Sequence, residues 1–131
     1  MTTPYLKGDE ISGSQSNQYL TSNALDRLLE RATCGRITIN FTSDADLTLD
    51  TDTAAGTEQW RDKFIDITDS GTVLTAGRDV VFPAEEGPEY IITNSTAQTL
   101  TLKISGQSGV TIATTVTGRF YYNGTDIVAA P

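Results

Sequence analysis

The sequence predicts a mainly β protein, in which an N-terminal extended arm and one short α-helix are followed by an antiparallel β-sandwich or rolled β-sheet. Short apolar–polar alternations recur from Arg36 onward, and turn residues separate them about every eight to twelve residues. Threonine makes up roughly one residue in six, and a β-branched residue with a polar tip suits the solvent face of a strand. A helical period occurs once, just before the strands.

The length of 131 residues allows one hydrophobic core but not two. We therefore predict an extended arm over residues 1–22, an amphipathic helix over 23–34 and an antiparallel β-domain over 35–131. The single cysteine, Cys34, excludes an internal disulfide, so side-chain packing must stabilise the fold.

The predicted arm is polar and shows no hydrophobic period. Its few apolar residues are the candidate anchors: Tyr5, Leu6, Ile11, Tyr19 and Leu20. A segment of this kind cannot build its own core. It is either a flexible tail or an arm that becomes ordered by laying these residues on a neighbouring chain.

The helix is predicted over residues 23–33, with Ser22 or Asn23 as its N-cap and Gly35 as its terminator. Four apolar residues at i, i+3, i+4 and i+7 form one stripe: Leu25, Leu28, Leu29 and Ala32. A helix of about three turns is not stable alone in water, so the stripe must be covered. Either the β-domain covers it, or copies of the chain pack their stripes together about a symmetry axis.

The alternations predict strands at residues 36–41, 46–50, 64–67, 72–74, 79–82, 100–104, 110–113, 120–122 and 127–128. Residues 54–63 are left as a connection, either a loop or a single helical turn. Residues 105–109 form a turn, and Asn123-Gly124 supplies the positive φ angles of a hairpin. The last third of the chain is thus predicted to be an antiparallel meander.

Composition excludes several kinds of chemistry. The chain has no histidine, which rules out Ser-His-Asp and Cys-His catalysis and zinc sites that need imidazole. No glycine-rich phosphate loop precedes a helix. A net charge of −8 argues against binding nucleic acid, and no apolar run resembles a signal peptide or a membrane span. We predict a non-enzyme made in a cytoplasm, without catalytic residues or cofactors and with neither nucleic acid nor membrane as a partner.

Two groups of residues remain as candidates for ligand binding. The carboxylates of Asp44, Asp46, Asp50 and Asp52 could hold a calcium ion, but they lack the glycine and terminal glutamate of the helix–loop–helix calcium site, and a solvated strand edge is the alternative. Trp60, Tyr121 and Tyr122 could stack on a sugar ring or anchor a partner. Because alternate side chains of a strand face opposite ways, at least one of the tyrosine rings is expected in the core. A rival hypothesis is a polysaccharide-degrading enzyme that uses carboxylates between Asp44 and Asp66.

Residues 12–28 resemble a segment near the N-terminus of some tailed-bacteriophage tail and tail-fibre proteins. The matching residues are Gln15, Leu20, Thr21, Asn23, Ala24 and Leu25. The segments 80–84, 90–95, 100–103, 109–112 and 122–128 follow an order similar to that of a β-module in phage virion proteins.

The resemblance implies a structural protein of the phage virion that has no catalytic residues and assembles as a homotrimer. The helix stripe would then form the oligomer seam, and the arm would dock on another virion protein. A tail-fibre or appendage component is the first expectation, and a capsid decoration (cement) or head-fibre protein is the alternative. A carbohydrate-binding module that recognises a host surface glycan is a second alternative.

Overall fold

The computed structural model describes residues 18–49 and 59–131. Within these two ranges, the helix α1 (Gln18–Cys34) precedes nine strands and a 3-10 turn (Gln59–Arg61). The strands are β1 (Arg36–Asn40), β2 (Leu47–Thr48), β3 (Phe64–Thr68), β4 (Arg78–Phe82), β5 (Tyr90–Ser95), β6 (Leu100–Ile104), β7 (Val110–Ile112), β8 (Thr117–Tyr122) and β9 (Ile127–Ala129). The mainly β class predicted from the sequence is confirmed.

The first six strands alternate between two sheets. The first sheet has the order β1-β3-β5-β8-β9 and the second has the order β2-β4-β6-β7. Within each sheet, β1 to β4 each pair in parallel with the strand two places further along the chain. Each turn of chain thus adds one strand to each sheet, and three such turns form a short two-sheeted β-solenoid.

The core lies between the two sheets. The apolar residues that point into it are aligned from one solenoid turn to the next. Ile37 pairs with Ile65, and Ile65 pairs with Ile92. In the second sheet, Val80 pairs with Leu102. The side chains of Ile65, Ile92, Val80 and Leu102 are at most 1% exposed, so these aligned apolar side chains supply much of the folding free energy.

The predicted antiparallel arrangement is wrong for β1 to β6 and right only for the end of the chain. There β7 pairs antiparallel with β6, β8 with β5, and β9 with β8. The expected meander is therefore two hairpins in different sheets, since the chain crosses between sheets after β7. Parallel neighbours need a long crossover, and here the passage through the opposite sheet provides it.

The strand predicted at residues 72–74 does not form. Thr72 has a φ of 54°, which an extended strand does not allow. The backbone N–H groups of Val73 and Leu74 donate to the carboxylate of Asp69, at 2.8 and 3.0 Å, instead of to a neighbouring strand. A local carboxylate has thus replaced the sheet partner that the apolar–polar alternation suggested.

Both predicted hairpin turns are present. Gly106 and Gly109 have φ values of 82° and 71° in the turn after β6. In the β8–β9 turn only Gly124 takes a positive φ, of 96°. The side-chain oxygen of Asn123 accepts from the N–H groups of Thr125 and Asp126, both at 2.9 Å, so this asparagine contributes a hydrogen-bond acceptor rather than the expected φ angle.

The helix is longer than predicted, because it begins at Gln18 rather than at residue 23. Placing Ser22 or Asn23 inside a helix costs under about 0.7 kcal/mol relative to alanine. Their preference for the N-cap therefore did not determine where the helix begins. Residues 18–22 therefore belong to α1 and not to the arm, and two predicted arm anchors, Tyr19 and Leu20, lie on helical backbone. The other anchors, Tyr5, Leu6 and Ile11, lie outside the described residues. Gly35 follows the last helical residue, as predicted.

The carboxylate of Asp126 joins the two C-terminal hairpins. It accepts from the N–H groups of Ile104 at 3.1 Å, Gly109 at 2.7 Å and Ile127 at 2.8 Å. Burial raises the pKa of this carboxyl, but the three backbone donors outweigh it and hold the pKa below the ordinary value.

Replacing Asp126 with asparagine should destabilise the protein by about 2 kcal/mol at neutral pH, because three backbone donors lose a charged acceptor. A carboxyl with a lowered folded pKa contributes its stability above the unfolded pKa, near 3.8, and loses it as the pH falls through the folded pKa. Urea unfolding at neutral pH and at about pH 3 should therefore show a smaller difference between wild type and variant in acid. A difference that grows in acid would contradict this role.

Candidate assembly surface at the N-terminal helix

Backbone hydrogen bonds join α1 firmly to the first sheet. The carbonyl oxygen of Arg31 accepts from the N–H of Gly35 at 3.0 Å and from the N–H of Lys63 at 3.1 Å. The N–H of Phe64 donates to the carbonyl oxygen of Gly35 at 2.9 Å. We call this junction of Arg31, Gly35 and residues 62–64 the neck. It fixes the end of the helix against the start of β3.

A bidentate ion pair strengthens the neck. The Nε atom of Arg31 donates to Oδ1 of Asp62 at 2.9 Å, and Nη2 donates to Oδ2 at 3.2 Å. Asp62 is only 5% exposed, and a two-point contact of this kind sets orientation as well as proximity. The side of α1 that carries Arg31 therefore faces the body of the protein.

The predicted seam residues all lie on α1, and Leu29 is the most exposed of them. Its side chain is 55% exposed, whereas Leu25, Leu28 and Ala32 are half-buried. At about 100° per residue, Leu29 lies about 200° around the helix from Arg31, on the side opposite the neck. The main packing partner of α1 among the described elements is the 3-10 turn. The described part of the β-domain thus leaves Leu29 largely exposed.

Trp60, one of the candidate ligand contacts, lies in the hydrophobic core. Its side chain is 3% exposed, and its backbone carbonyl accepts from the hydroxyl of Tyr90 at 2.5 Å. The guanidinium carbon of Arg61 lies 4.6 Å from the centre of the indole ring. A ligand in solvent cannot reach this ring. The indole instead packs in the hydrophobic core.

The two tyrosines of β8 separate as the strand alternation requires. Tyr122 is half-buried against the core, and its hydroxyl donates to the carbonyl of Gly124 at 2.9 Å. Tyr121 points the other way and is 38% exposed. Of the three candidate aromatics, Tyr121 alone offers its ring to a partner.

The described part of the acidic cluster fastens the edge of the second sheet. Asp44 accepts from the hydroxyl and the N–H of Thr75 and forms an ion pair with Arg78 at 2.8 Å. The Thr75 hydroxyl first, then its N–H and Arg78, hold the pKa of the Asp44 carboxyl below its usual value. Asp46 accepts from the N–H of Asp79 at 3.0 Å. Asp50 and Asp52 lie outside the described residues, and the residues that are described contain no cluster of three metal-binding side chains.

Residues 18–49 and 59–131 include no helix that could span a lipid bilayer. Comparison with known proteins gives no significant match, either to a family model or to a curated protein or solved structure. The described residues form a mainly β fold with two sheets and the helix α1 beside them.

Proposed function

We propose that this chain is a non-enzymatic structural component of a tailed-phage virion, a trimeric tail-fibre or appendage protein. It self-associates through α1 and docks on other virion proteins through the segment before the helix. The observation that carries the proposal is Leu29, which is 55% exposed on a helix whose orientation the neck fixes. Leu29 belongs to an apolar stripe with the half-buried Leu25, Leu28 and Ala32, and a stripe of this kind on a short helix gains stability when another surface covers it.

The energetics support self-association. A helix of 17 residues is about 25 Å long, and such a helix gains most of its stability from packing an apolar face. Burying a leucine side chain contributes about 1.5–3 kcal/mol, and an oligomer gains this contribution in every copy. The proposed trimer should have the mass of three copies of the 14.1 kDa chain.

The ionisable residues support a structural rather than a catalytic role. Three described carboxyls have a lowered pKa, and each owes it to bonds that hold the fold together. Asp44 binds Thr75 and Arg78, Asp126 binds backbone donors, and Glu89 accepts from Arg119 at 2.8 Å. None of them has the raised pKa that a general acid needs at neutral pH.

The resemblance of residues 12–28 to tail and tail-fibre proteins favours the tail over the capsid. A capsid decoration or head-fibre protein would use the same helix and the same leading segment. Electron microscopy of gold-labelled protein bound to virions separates the two locations.

The exposed ring of Tyr121 favours a second candidate function, recognition of a host surface glycan. A glycan array tests it directly, with Tyr121→Ala as the matched variant. Binding that persists unchanged in that variant would contradict a role for this ring.

Replacing both Leu25 and Leu28 with aspartate should convert the trimer to monomers while the β-domain stays folded. Each change puts a charge into the apolar seam, where an unpaired charge is costly. Light scattering or native mass spectrometry measures the assembly, and circular dichroism checks the fold.

The matched control is Asn23→Asp with Arg27→Gln, which changes the net charge by the same amount on the polar side of α1. Both side chains are exposed, so this variant should remain a trimer. If wild type is a monomer, or if the leucine variant stays trimeric, the proposed assembly through α1 is wrong.

A further inference from the structure

The outer face of the first sheet carries an apolar patch. Its members point away from the core because their chain neighbours point inward: Phe64, Ile91, Tyr121 and Val128. Phe64 pairs with Ile91, and Tyr121 pairs with Val128, so the four lie on neighbouring strands. A shallow depression of about 400 Å³ opens beside Phe64 and Ile91. Tyr121 is exposed and the other three side chains are half-buried, so the patch is a partly exposed apolar surface.

Two arginines flank the patch. The guanidinium carbon of Arg36 lies 5.2 Å from the centre of the Phe64 ring, and this side chain makes no ion pair among the described residues. Arg119 is the register partner of Ile91 and donates to Glu89 at 2.8 Å. Glu89 pairs with Arg119, and Asp66 lines the same depression, so it is Arg36 that is placed to attract an acidic side chain of a partner.

The exposed side of α1 has the complementary character. Asp26 and Glu30 lie on the same side of the helix as Leu29, at about 60° and 100° from it. All three are exposed, whereas Arg31 points to the neck on the other side. The helix therefore presents an apolar residue with an acidic flank, and the sheet presents an apolar patch with a basic flank.

We propose that the surface which receives α1 is the outer face of the first sheet in a second copy of this chain. Leu29 covers Phe64 and Ile91 of the neighbouring copy, and the acidic flank of the helix faces Arg36 there. This inference rests on the proposed self-association through α1 and specifies a helix-on-sheet contact. Because the two surfaces differ, the contact is head-to-tail, and it closes into a ring when the rotation between copies allows.

Apolar burial and ion pairing have different roles in this contact. Burial of Leu29 against Phe64 and Ile91 supplies most of the affinity. Exposed ion pairs add little free energy, but they determine which way the helix lies across the sheet. Charge reversal therefore tests the orientation directly.

The experiment is a charge swap measured by analytical ultracentrifugation of the full chain. Arg36→Glu and Glu30→Arg should each raise the dissociation constant about tenfold, because each places two like charges together. The double variant, with both changes, should return to within about threefold of wild type. Arg27→Glu, on the opposite side of α1, should leave the constant unchanged.

The outcomes separate this inference from the proposed function. If Leu25→Asp with Leu28→Asp dissociates the protein but Arg36→Glu leaves the dissociation constant unchanged, the helix-on-sheet contact is wrong while the assembly through α1 stands. If the single variants weaken assembly but the swap does not restore it, the two charges do not meet and the inference is overturned. A monomeric wild type overturns the assembly itself.

A second measurement does not depend on charge. In a Cys34→Ser background, Leu29→Cys combined with Ile91→Cys should form covalent oligomers under mild oxidation, because the contact brings the two positions together between copies. Leu29→Cys combined with Thr111→Cys, on the outer face of the second sheet, should not. Equal crosslinking of both pairs would contradict the contact.

Discussion

Replacing Asn94 with aspartate is expected to destabilise the protein by about 3–5 kcal/mol at neutral pH, the cost of an unpaired buried charge. Asn94 is fully buried on β5, in register with Ile67 of the first sheet. Its amide nitrogen donates to the carbonyl oxygens of Gln98 at 2.8 Å and Ile112 at 3.0 Å. Its side-chain oxygen accepts from the N–H and the hydroxyl of Thr96, at 3.0 and 2.7 Å.

Aspartate keeps the acceptor that Thr96 needs but loses both donors. Its second carboxylate oxygen would face the two carbonyl oxygens of Gln98 and Ile112, and the low dielectric of a buried site makes this repulsion strong. Burial and this repulsion would raise the folded pKa of the new carboxyl above its unfolded value of about 3.9. The variant should therefore lose stability as the pH rises from the unfolded pKa to the raised folded pKa, and its deficit should be smallest in acid.

Urea unfolding across this pH range measures the effect, and Asn40→Asp is the matched control. Asn40 is exposed and accepts hydrogen bonds from Ser70 and Thr68, which a carboxylate also does. The control should change stability by less than about 0.5 kcal/mol. Equal effects at both positions would contradict the importance of the two donors.

The sequence predicted where most strands lie but not how they pair. Residues 100–104 were predicted as a strand and form β6 with the same ends, because alternation directly reports one buried face. Pairing depends on the path between strands. Equivalent residues of the first sheet, Arg36, Phe64 and Ile91, are separated by 28 and 27 residues. In the second sheet, Leu47 pairs with Val80, 33 residues on, and Arg78 pairs with Leu100, 22 residues on. Because these separations differ, the structural repeat cannot be recognised as a fixed period in the sequence.

At the candidate assembly surface too, the sequence predicted the local feature but not the contact between distant residues. Helical spacing alone identified the stripe that contains Leu29, since the residues involved are local. The neck pair, Arg31 and Asp62, lies 31 residues apart, and neither residue carries a local signal of its partner. The burial of Trp60 could not be predicted, because nothing in its neighbouring residues indicates that Tyr90 binds its backbone inside the core.

Replacing Gly35 with alanine should destabilise the protein by about 2–3 kcal/mol and weaken its assembly, because the neck leaves no room for a side chain. A Cβ atom at this position would lie 2.4 Å from Oδ1 of Asp62, 2.6 Å from the Cα of Arg31 and 2.7 Å from the Arg31 carbonyl oxygen. Two of these contacts are with backbone, so a rotamer change cannot relieve them. The helix end must move, and that movement strains both the Arg31–Asp62 ion pair and the hydrogen bond from Lys63.

Urea unfolding at a fixed protomer concentration measures the stability, since oligomers unfold in a concentration-dependent way. Native mass spectrometry measures the assembly in the same samples. Gly71→Ala is the control, because a Cβ there would meet only a Val73 methyl carbon, at 3.4 Å. A Gly35→Ala variant that loses stability but keeps its oligomer would mean that α1 associates without the neck to orient it. The fixed position of Leu29 would then no longer support the assembly surface.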